Sequence, residues 1–127
     1  MKPSEQIIGC ALKIHRALGP GLLESVYCKC LVYELKKLGF KCESEIMLPV
    51  TYETLSFENG FRADIIVNGN TILEIKSTDK HSPSHTAQVL TYLKLTKLPL
   101  ALLINFGEPT LTAGIKRFAN GPEGDSL

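Results

Sequence analysis

The sequence has no tryptophan, only two methionines, and no apolar segment long enough to cross a bilayer. Its longest apolar run, residues 98–104, is interrupted by Pro99 and is far shorter than the roughly 20 residues of a membrane helix. The polar stretch at residues 1–6 does not resemble a signal peptide, so we expect a cytoplasmic protein. The net charge of +1 also lacks the basic excess typical of nucleic-acid-binding domains. Near-neutrality does not exclude such a partner, because the acidic residues of a metal site offset basic residues elsewhere.

Cysteine is scarce and irregularly spaced, at Cys10, Cys28, Cys30 and Cys42. Zinc binding is the alternative use of four cysteines, but none of these spacings resembles a zinc ribbon or finger. Cys28 and Cys30 lie two residues apart in a predicted helix and therefore point in different directions. We expect reduced, structural thiols.

The order of the predicted elements indicates the class of fold. The predicted elements are helices at 4–18 and 22–38, strands at 40–46 (continuing to 52), 61–67 and 71–77, a turn at 58–60, a helix at 82–96, and strands at 100–106 and 114–118. Ser4 is expected to cap the first helix, and Ser82 with Pro83 to begin the third. This order predicts one α/β domain over residues 1–127, with a mixed central sheet flanked by helices. Residues 119–127 are expected to form a frayed tail.

Charged residues interrupt the otherwise apolar hairpin at 61–77, FRADIIVNGNTILEIKS. Asp64, Glu74 and Lys76 stand among valine, isoleucine and leucine. A charge buried in such a strand costs several kcal/mol unless it is paired or bound to a metal. From spacing alone, a cross-strand salt bridge on a solvated face explains the three charges as well as a metal site does.

The loop at residues 68–70 decides the geometry of the hairpin. If a two-residue Asn-Gly turn forms, Asp64 lies opposite Leu73 and Glu74 points to the other face. If all three residues form the loop, Asp64 lies opposite Glu74, with Cβ atoms roughly 5 Å apart. The two-residue turn is the commoner use of Asn-Gly. We favour the three-residue loop, with Asn70 left-handed at its end, because it sets both carboxylates and the lysine on one side.

Two carboxylates on one face repel each other, and a hard divalent cation relieves that repulsion. Mg²⁺ or Mn²⁺ therefore fits Asp64 and Glu74, with the backbone carbonyl of Ile75 as a further ligand. Lys76 returns to the same face, where it would orient or deprotonate a water, or stabilise developing negative charge. Arg62 would lie opposite Lys76, where it would meet a phosphate or simply balance Asp64.

Here the pattern becomes specific. An aspartate on one strand and Glu-x-Lys on the next, Asp64 and Glu74-Ile75-Lys76, resemble the signature of the PD-(D/E)xK nuclease superfamily. Ala63 stands where that signature has proline. Residues 21–27, GLLESVY, resemble the GxxExxY signature of a group within the superfamily. The resemblance covers residues 7–118 and extends to three further motifs: Gln88, Tyr92-Leu93-Lys94 and Asn105-Phe106-Gly107.

The resemblance implies a restriction-endonuclease-like fold and metal-dependent hydrolysis of phosphodiester bonds in nucleic acid, DNA ahead of RNA. The residues it implies for catalysis are Lys76, Asp64, Glu74, Glu24 and Gln88. It also implies that Gln88 and Tyr92 line the active cleft; the candidate substrate contacts are Tyr92, Tyr27 and, from the hairpin register, Arg62.

Local spacing adds to these assignments without deciding them. Glu24 and Tyr27 share a helix face that also carries Leu31, so Glu24 is expected to border the core. The alternative for Glu24 is an acid placed at a helix N-terminus, where the dipole favours it. Gln88 and Tyr92 share another helix face, which is also compatible with an ordinary amphipathic helix.

A non-catalytic module that kept the nuclease fold and binds nucleic acid or protein is the alternative function. The net charge of +1 is compatible with this alternative. A homodimer would supply the surface for gripping a duplex that a single small domain lacks.

Overall fold

A five-stranded mixed sheet forms the centre of the computed structural model, which describes residues 1–127. The elements are α1 (Pro3–Leu18), α2 (Glu24–Lys37), β1 (Cys42–Tyr52), β2 (Leu55–Val67), β3 (Thr71–Lys76), α3 (Pro83–Thr96), β4 (Leu100–Asn105), a 3₁₀ turn (Leu111–Gly114), β5 (Ile115–Ala119) and α4 (Gly121–Ser126). The strands lie in chain order, and β3 and β4 form the parallel pair. Parallel strands need a crossover, which α3 supplies. The predicted α/β fold with a mixed, helix-flanked sheet is confirmed.

Helices cover both faces of the sheet. On one face α1 and α2 pack against alternate residues of β3 and β4, such as Leu73 and Leu102. On the other face α3 packs through Val89 against Ile72 and Leu103. Every residue of β4 is buried, as expected for a central strand. Glu74 and Lys76 alternate with Leu73 and therefore belong to the α3 side of β3.

The hairpin of β1 and β2 continues well past the sheet, and its tip differs from the prediction. The expected turn at 58–60 lies inside β2, and the chain reverses instead at Glu53 and Thr54, with Glu53 left-handed at φ 52°. The β1–β2 register shifts between Leu48 and Val50, around Pro49, which has no N–H for the ladder. The turn-like residues 58–60 therefore form an irregularity opposite this proline.

The ends of the chain also depart from the predictions. Ser4 does not cap α1: it is buried inside the helix, whose N-cap is Lys2 without a side-chain bond. Residues 121–126 form a helix where a frayed tail was expected, and the Leu127 carbonyl accepts a 2.8 Å bond from the N–H of Ser4. Ser82 does cap α3, accepting from the N–H of Ser84.

No helix combines the length and the hydropathy needed to cross a membrane. All four cysteines are free thiols.

Candidate active site

The loop between β2 and β3 has the three-residue register. Val67 pairs with Thr71, so the favoured alternative is confirmed. The left-handed residues, however, are Asn68 (φ 53°) and Gly69 (φ 67°), and Asn70 is not one of them. The N–H of Asn70 donates to the Val67 carbonyl at 3.1 Å, so a primed turn sits inside the longer loop.

The ladder between β2 and β3 ends one pair before the two carboxylates. Its last pair is Ile65 with Leu73, so Asp64 and Glu74 are the next residues in register. Their side chains replace the missing ladder bonds. Asp64 Oδ2 accepts from the N–H of Ile75 at 2.8 Å, and Glu74 Oε1 accepts from the N–H of Asp64 at 3.2 Å. Each carboxylate therefore accepts a backbone hydrogen bond from the strand opposite its own.

The alternation of β2 breaks at Asp64. Ala63 packs on the α3 side and Ile65 on the α1–α2 side, although residues two apart in a regular strand share a face. Glu45, at the corresponding position of β1, has a left-handed φ of 52°. This bend carries the hairpin away from β3, and Arg62 pairs with Met47. The β2–β3 ladder ends at Ile65 and Leu73, so the predicted pairing of Arg62 with Lys76 does not form.

Glu74 is a buried carboxylate without a cationic partner. It is 3% exposed, and burial together with the charge of Asp64 raises its pKa to about 8. The ion pairs of the chain join Lys13 and Lys37 to Glu34, far from this site in the sequence. No lysine or arginine lies within ion-pair distance of Asp64 or Glu74, so the cross-strand salt bridge is not formed.

The thiol of Cys28, on α2, responds to the charges of several acidic residues. Burial, and then the charges of Asp64, Glu24, Glu74 and Glu45, raise the pKa of this half-buried thiol to about 12. Sequence spacing did not single out Cys28 or Glu45, because four separate elements bring these groups together.

The loop before α2 is tied to the end of β3, next to Lys76. Ser77 Oγ donates to the Leu22 carbonyl at 2.6 Å. Gly21 has a left-handed φ of 97°, which favours glycine in this loop. Glu24 begins α2 directly after it. Its side chain is exposed, so the expectation that it borders the core is wrong.

Tyr27 holds the same loop from inside and cannot touch a substrate. It has 0% exposure, and its ring stacks on Phe106 with centroids 4.4 Å apart. Its hydroxyl donates to the Gly19 carbonyl at 2.6 Å and accepts from the N–H of Leu22 at 3.1 Å. The prediction of a substrate-contacting Tyr27 is wrong in this conformation. Its place in the GxxExxY pattern is explained by the loop that carries Glu24.

Asn105 fixes the chain just beyond Lys76. Its side-chain oxygen accepts from the N–H groups of Thr78 and Gly107, both at 3.0 Å. Its side-chain nitrogen donates to the carbonyl and the hydroxyl of Thr78, at 3.0 and 3.2 Å. A side chain at Gly107 would collide with the Thr78 backbone. The Asn105-Phe106-Gly107 motif thus positions the strand end that carries Lys76.

The α3 side of the site is lined by Gln88 and Tyr92. Gln88 Nε2 donates to Tyr92 Oη at 3.0 Å, and the ring of Tyr92 lies against Phe61, with centroids 4.5 Å apart. Burial, followed by the charge of Glu74, raises the pKa of Tyr92. The resemblance assigns Tyr92 to the substrate-contacting residues, and that assignment stays a prediction.

The donor set suits a hard divalent cation. No three His, Cys, Asp or Glu side chains form a metal-binding cluster. The adjacent carboxylates are those of Asp64 and Glu74, which the strand register brings together. Mg²⁺ commonly uses one or two carboxylates and fills its other positions with water and substrate phosphate. Because the raised pKa of Glu74, about 8, keeps its carboxyl protonated at neutral pH, a bound cation would have to displace that proton.

A family model described as the PD-(D/E)XK nuclease superfamily matches residues 2–118. The chain belongs to this superfamily. Its five-stranded mixed sheet with flanking helices is consistent with the restriction-endonuclease-like fold of the family. No curated protein and no solved structure matches the chain.

Proposed function

We propose that this chain is a metal-dependent nuclease that hydrolyses phosphodiester bonds, with Asp64 and Glu74 as the ligands of Mg²⁺ or Mn²⁺. The backbone carbonyl of Ile75 is the third protein ligand in this proposal. The observation that carries it is the adjacency of two carboxylates, one of them 3% exposed, without any cationic side chain in ion-pair distance. Membership in the nuclease superfamily supports the class of reaction, cleavage of phosphodiester bonds. The bound cation would supply Lewis acidity toward the phosphate oxygens.

Lys76 provides the positive charge that the reaction needs beside the carboxylates. It lies on the α3 side of β3, two residues after Glu74, and makes no ion pair. Its ammonium group is therefore free to orient the attacking water and to stabilise the negative charge that develops on the phosphate. Asn105 and Ser77 hold the strand end that presents it.

Glu24 and Gln88 assist from the two flanking helices. Glu24 stands at the start of α2, where its charge contributes to the raised pKa of Cys28. Gln88 uses its amide nitrogen for Tyr92, which leaves its amide oxygen to accept from water. Arg62, exposed on β2, is a candidate contact to substrate phosphate.

The loop geometry also supports assignment to the GxxExxY group. Gly21 adopts the left-handed conformation that glycine tolerates, Tyr27 ties the loop together, and Glu24 follows it into the site. Gly21, Glu24 and Tyr27, the three residues that match the signature, thus each have a physical role in this chain. We propose DNA ahead of RNA as the substrate, and a homodimer as the assembly that grips a duplex.

Cleavage assays in Mg²⁺ and Mn²⁺ on single-stranded and duplex DNA and RNA test the proposal. Wild type should cleave at least one of these substrates, and Lys76→Ala should be slower by about a hundredfold or more, because it removes charge stabilisation of the transition state. Lys116→Ala, which removes an exposed lysine on β5, is the matched control and should cleave like wild type. Equal cleavage by the Lys76→Ala variant would overturn the mechanism. Binding without cleavage would favour the non-catalytic alternative.

A further inference from the structure

His85 contains the one buried side-chain nitrogen or oxygen of the chain that has no hydrogen-bond partner, Nδ1. Burying such an atom without a partner is costly, so folded proteins retain few of them. The other ring nitrogen, Nε2, has no protein partner either but is not buried, so it opens to solvent. The ring therefore has one enclosed and one accessible nitrogen.

The burial of Nδ1 decides where the imidazole proton resides. A proton on Nδ1 would be a buried donor without an acceptor, a rarer and costlier state than an unsatisfied acceptor. The neutral ring with its proton on Nε2 avoids that state. Burial, and then the charges of Lys76 and His81, lower the pKa of His85, against the opposing charge of Glu24. His85 thus presents a neutral N–H donor to solvent.

That donor belongs to the candidate active site. His85 lies in the first turn of α3, three residues before Gln88 and seven before Tyr92, so the three polar side chains share one stripe of the helix. The field of Lys76 and that of Glu24 both reach its ring. The neighbouring His81 is already engaged, through Nε2, with Thr86 Oγ1 at 3.1 Å.

We propose that Nε2 of His85 donates a hydrogen bond to a phosphate oxygen of the nucleic-acid strand bound at this site, an inference that rests on the proposed function. Phosphate oxygens accept hydrogen bonds from neutral as well as charged side chains. A neutral donor beside Lys76 adds a directional contact without adding a second like charge. His85 is therefore a substrate-binding residue that fixes the register of the strand, while Lys76 supplies the charge.

Two amide substitutions distinguish the contribution of Nε2 of His85 from that of Nδ1. In His85→Gln the amide nitrogen falls near the position of Nε2, and in His85→Asn it falls near that of Nδ1. Steady-state cleavage of the preferred oligonucleotide should show kcat/KM lowered about tenfold to a hundredfold in His85→Asn, the loss expected for a hydrogen bond to a charged group. His85→Gln should stay within about threefold of wild type. Equal rates in wild type and His85→Asn, or equal losses in both variants, would overturn the contact.

Salt dependence tests whether the donor is neutral. Each charged phosphate contact contributes about 0.7–0.9 to the slope of log affinity against log salt. His85→Asn should lower kcat/KM at every salt concentration and leave that slope unchanged. A smaller slope in the variant would contradict the neutral donor.

His85→Leu distinguishes a role of His85 in substrate binding from a role in stability alone. It removes the unsatisfied Nδ1, so its melting temperature should match or exceed that of wild type, while its kcat/KM falls as in His85→Asn. Loss of both folding and activity in this variant would overturn the assignment. Failure of the wild type to cleave any substrate contradicts the proposed function as well, whereas an active wild type with an unaffected His85→Asn variant contradicts the contact alone.

Discussion

Glu74 Oε1 accepts a 3.2 Å hydrogen bond from the backbone N–H of Asp64, at the point where β2 and β3 separate. The register would allow one more ladder pair here. A carboxylate takes the place of a backbone carbonyl instead, and it is buried with a second carboxylate next to it. The stability of the metal-free protein should therefore depend on the protonation of this site.

The first prediction concerns pH. The pKa of Glu74 is raised from 4.5 to about 8, so between these values the folded state binds a proton that the unfolded state has released. The metal-free protein should lose stability as pH rises through this window, by at most about 1.4 kcal/mol per pH unit. Denaturant titrations of wild type and Glu74→Gln in EDTA from pH 5 to pH 8 check this. The wild-type decline should be absent in Glu74→Gln and present in Glu58→Gln, an exposed control; the same decline in all three would refute it.

The second prediction concerns Tyr27. Tyr27→Phe keeps the ring on Phe106 but leaves the Gly19 carbonyl and the Leu22 N–H without their partner. Unfolding free energy should fall by about 1–3 kcal/mol. KM should not change, because the hydroxyl is enclosed. Tyr33→Phe alters an exposed tyrosine of the same helix and is the control for stability. A raised KM with unchanged stability would return Tyr27 to the substrate-binding set.

The third prediction concerns Asn105. Asn105→Ala removes four hydrogen bonds to Thr78 and Gly107 and should destabilise the fold by on the order of 3 kcal/mol. Asn105→Asp keeps the two bonds accepted from N–H groups but places a carboxylate oxygen against the Thr78 carbonyl, so it should also be destabilised. Both should lower kcat, since the end of β3 carries Lys76. Normal kcat at a temperature where both variants are folded would show that the Asn105 hydrogen bonds do not position Lys76.

The fourth prediction concerns Arg62, which is exposed and pairs with Met47. If it contacts a phosphate, Arg62→Ala should weaken nucleic-acid binding and reduce the slope of log affinity against log salt by about 0.7–0.9. Arg16→Ala, on the exposed side of α1, should change neither quantity. Fluorescence anisotropy at four salt concentrations measures both. An unchanged slope in Arg62→Ala would remove Arg62 from the interface.

Much of the site could be predicted because its geometry depends on one local feature, the loop between β2 and β3. The Asn-Gly-Asn loop sets the register of β2 on β3, and register alone brings Asp64 next to Glu74. The mutual capping of the two residues could not be predicted, because it depends on the ladder ending one pair early. The bend at Asp64 could not be predicted either; it lies opposite Glu45, a left-handed residue of a different strand.

Other predictions failed where tertiary contacts override local signals. Glu58-Asn59-Gly60 has the composition of a turn but lies opposite Pro49, where the extra residues form an irregularity in the hairpin. The polar tail folds because Arg117 and the N–H of Ser4 bind its backbone carbonyls. Tyr27 has the spacing of a site residue, yet the partner of its hydroxyl is a loop eight residues away.

Calorimetric titration with Mn²⁺ tests the central claim most directly. Wild type should bind a single ion per chain, and Asp64→Asn should weaken binding by at least about a hundredfold, since loss of a supporting residue alone costs 10–100-fold at such sites. Asp125→Asn, the matched change on α4, should bind like wild type. Equal Mn²⁺ affinity in wild type and Asp64→Asn would contradict the account.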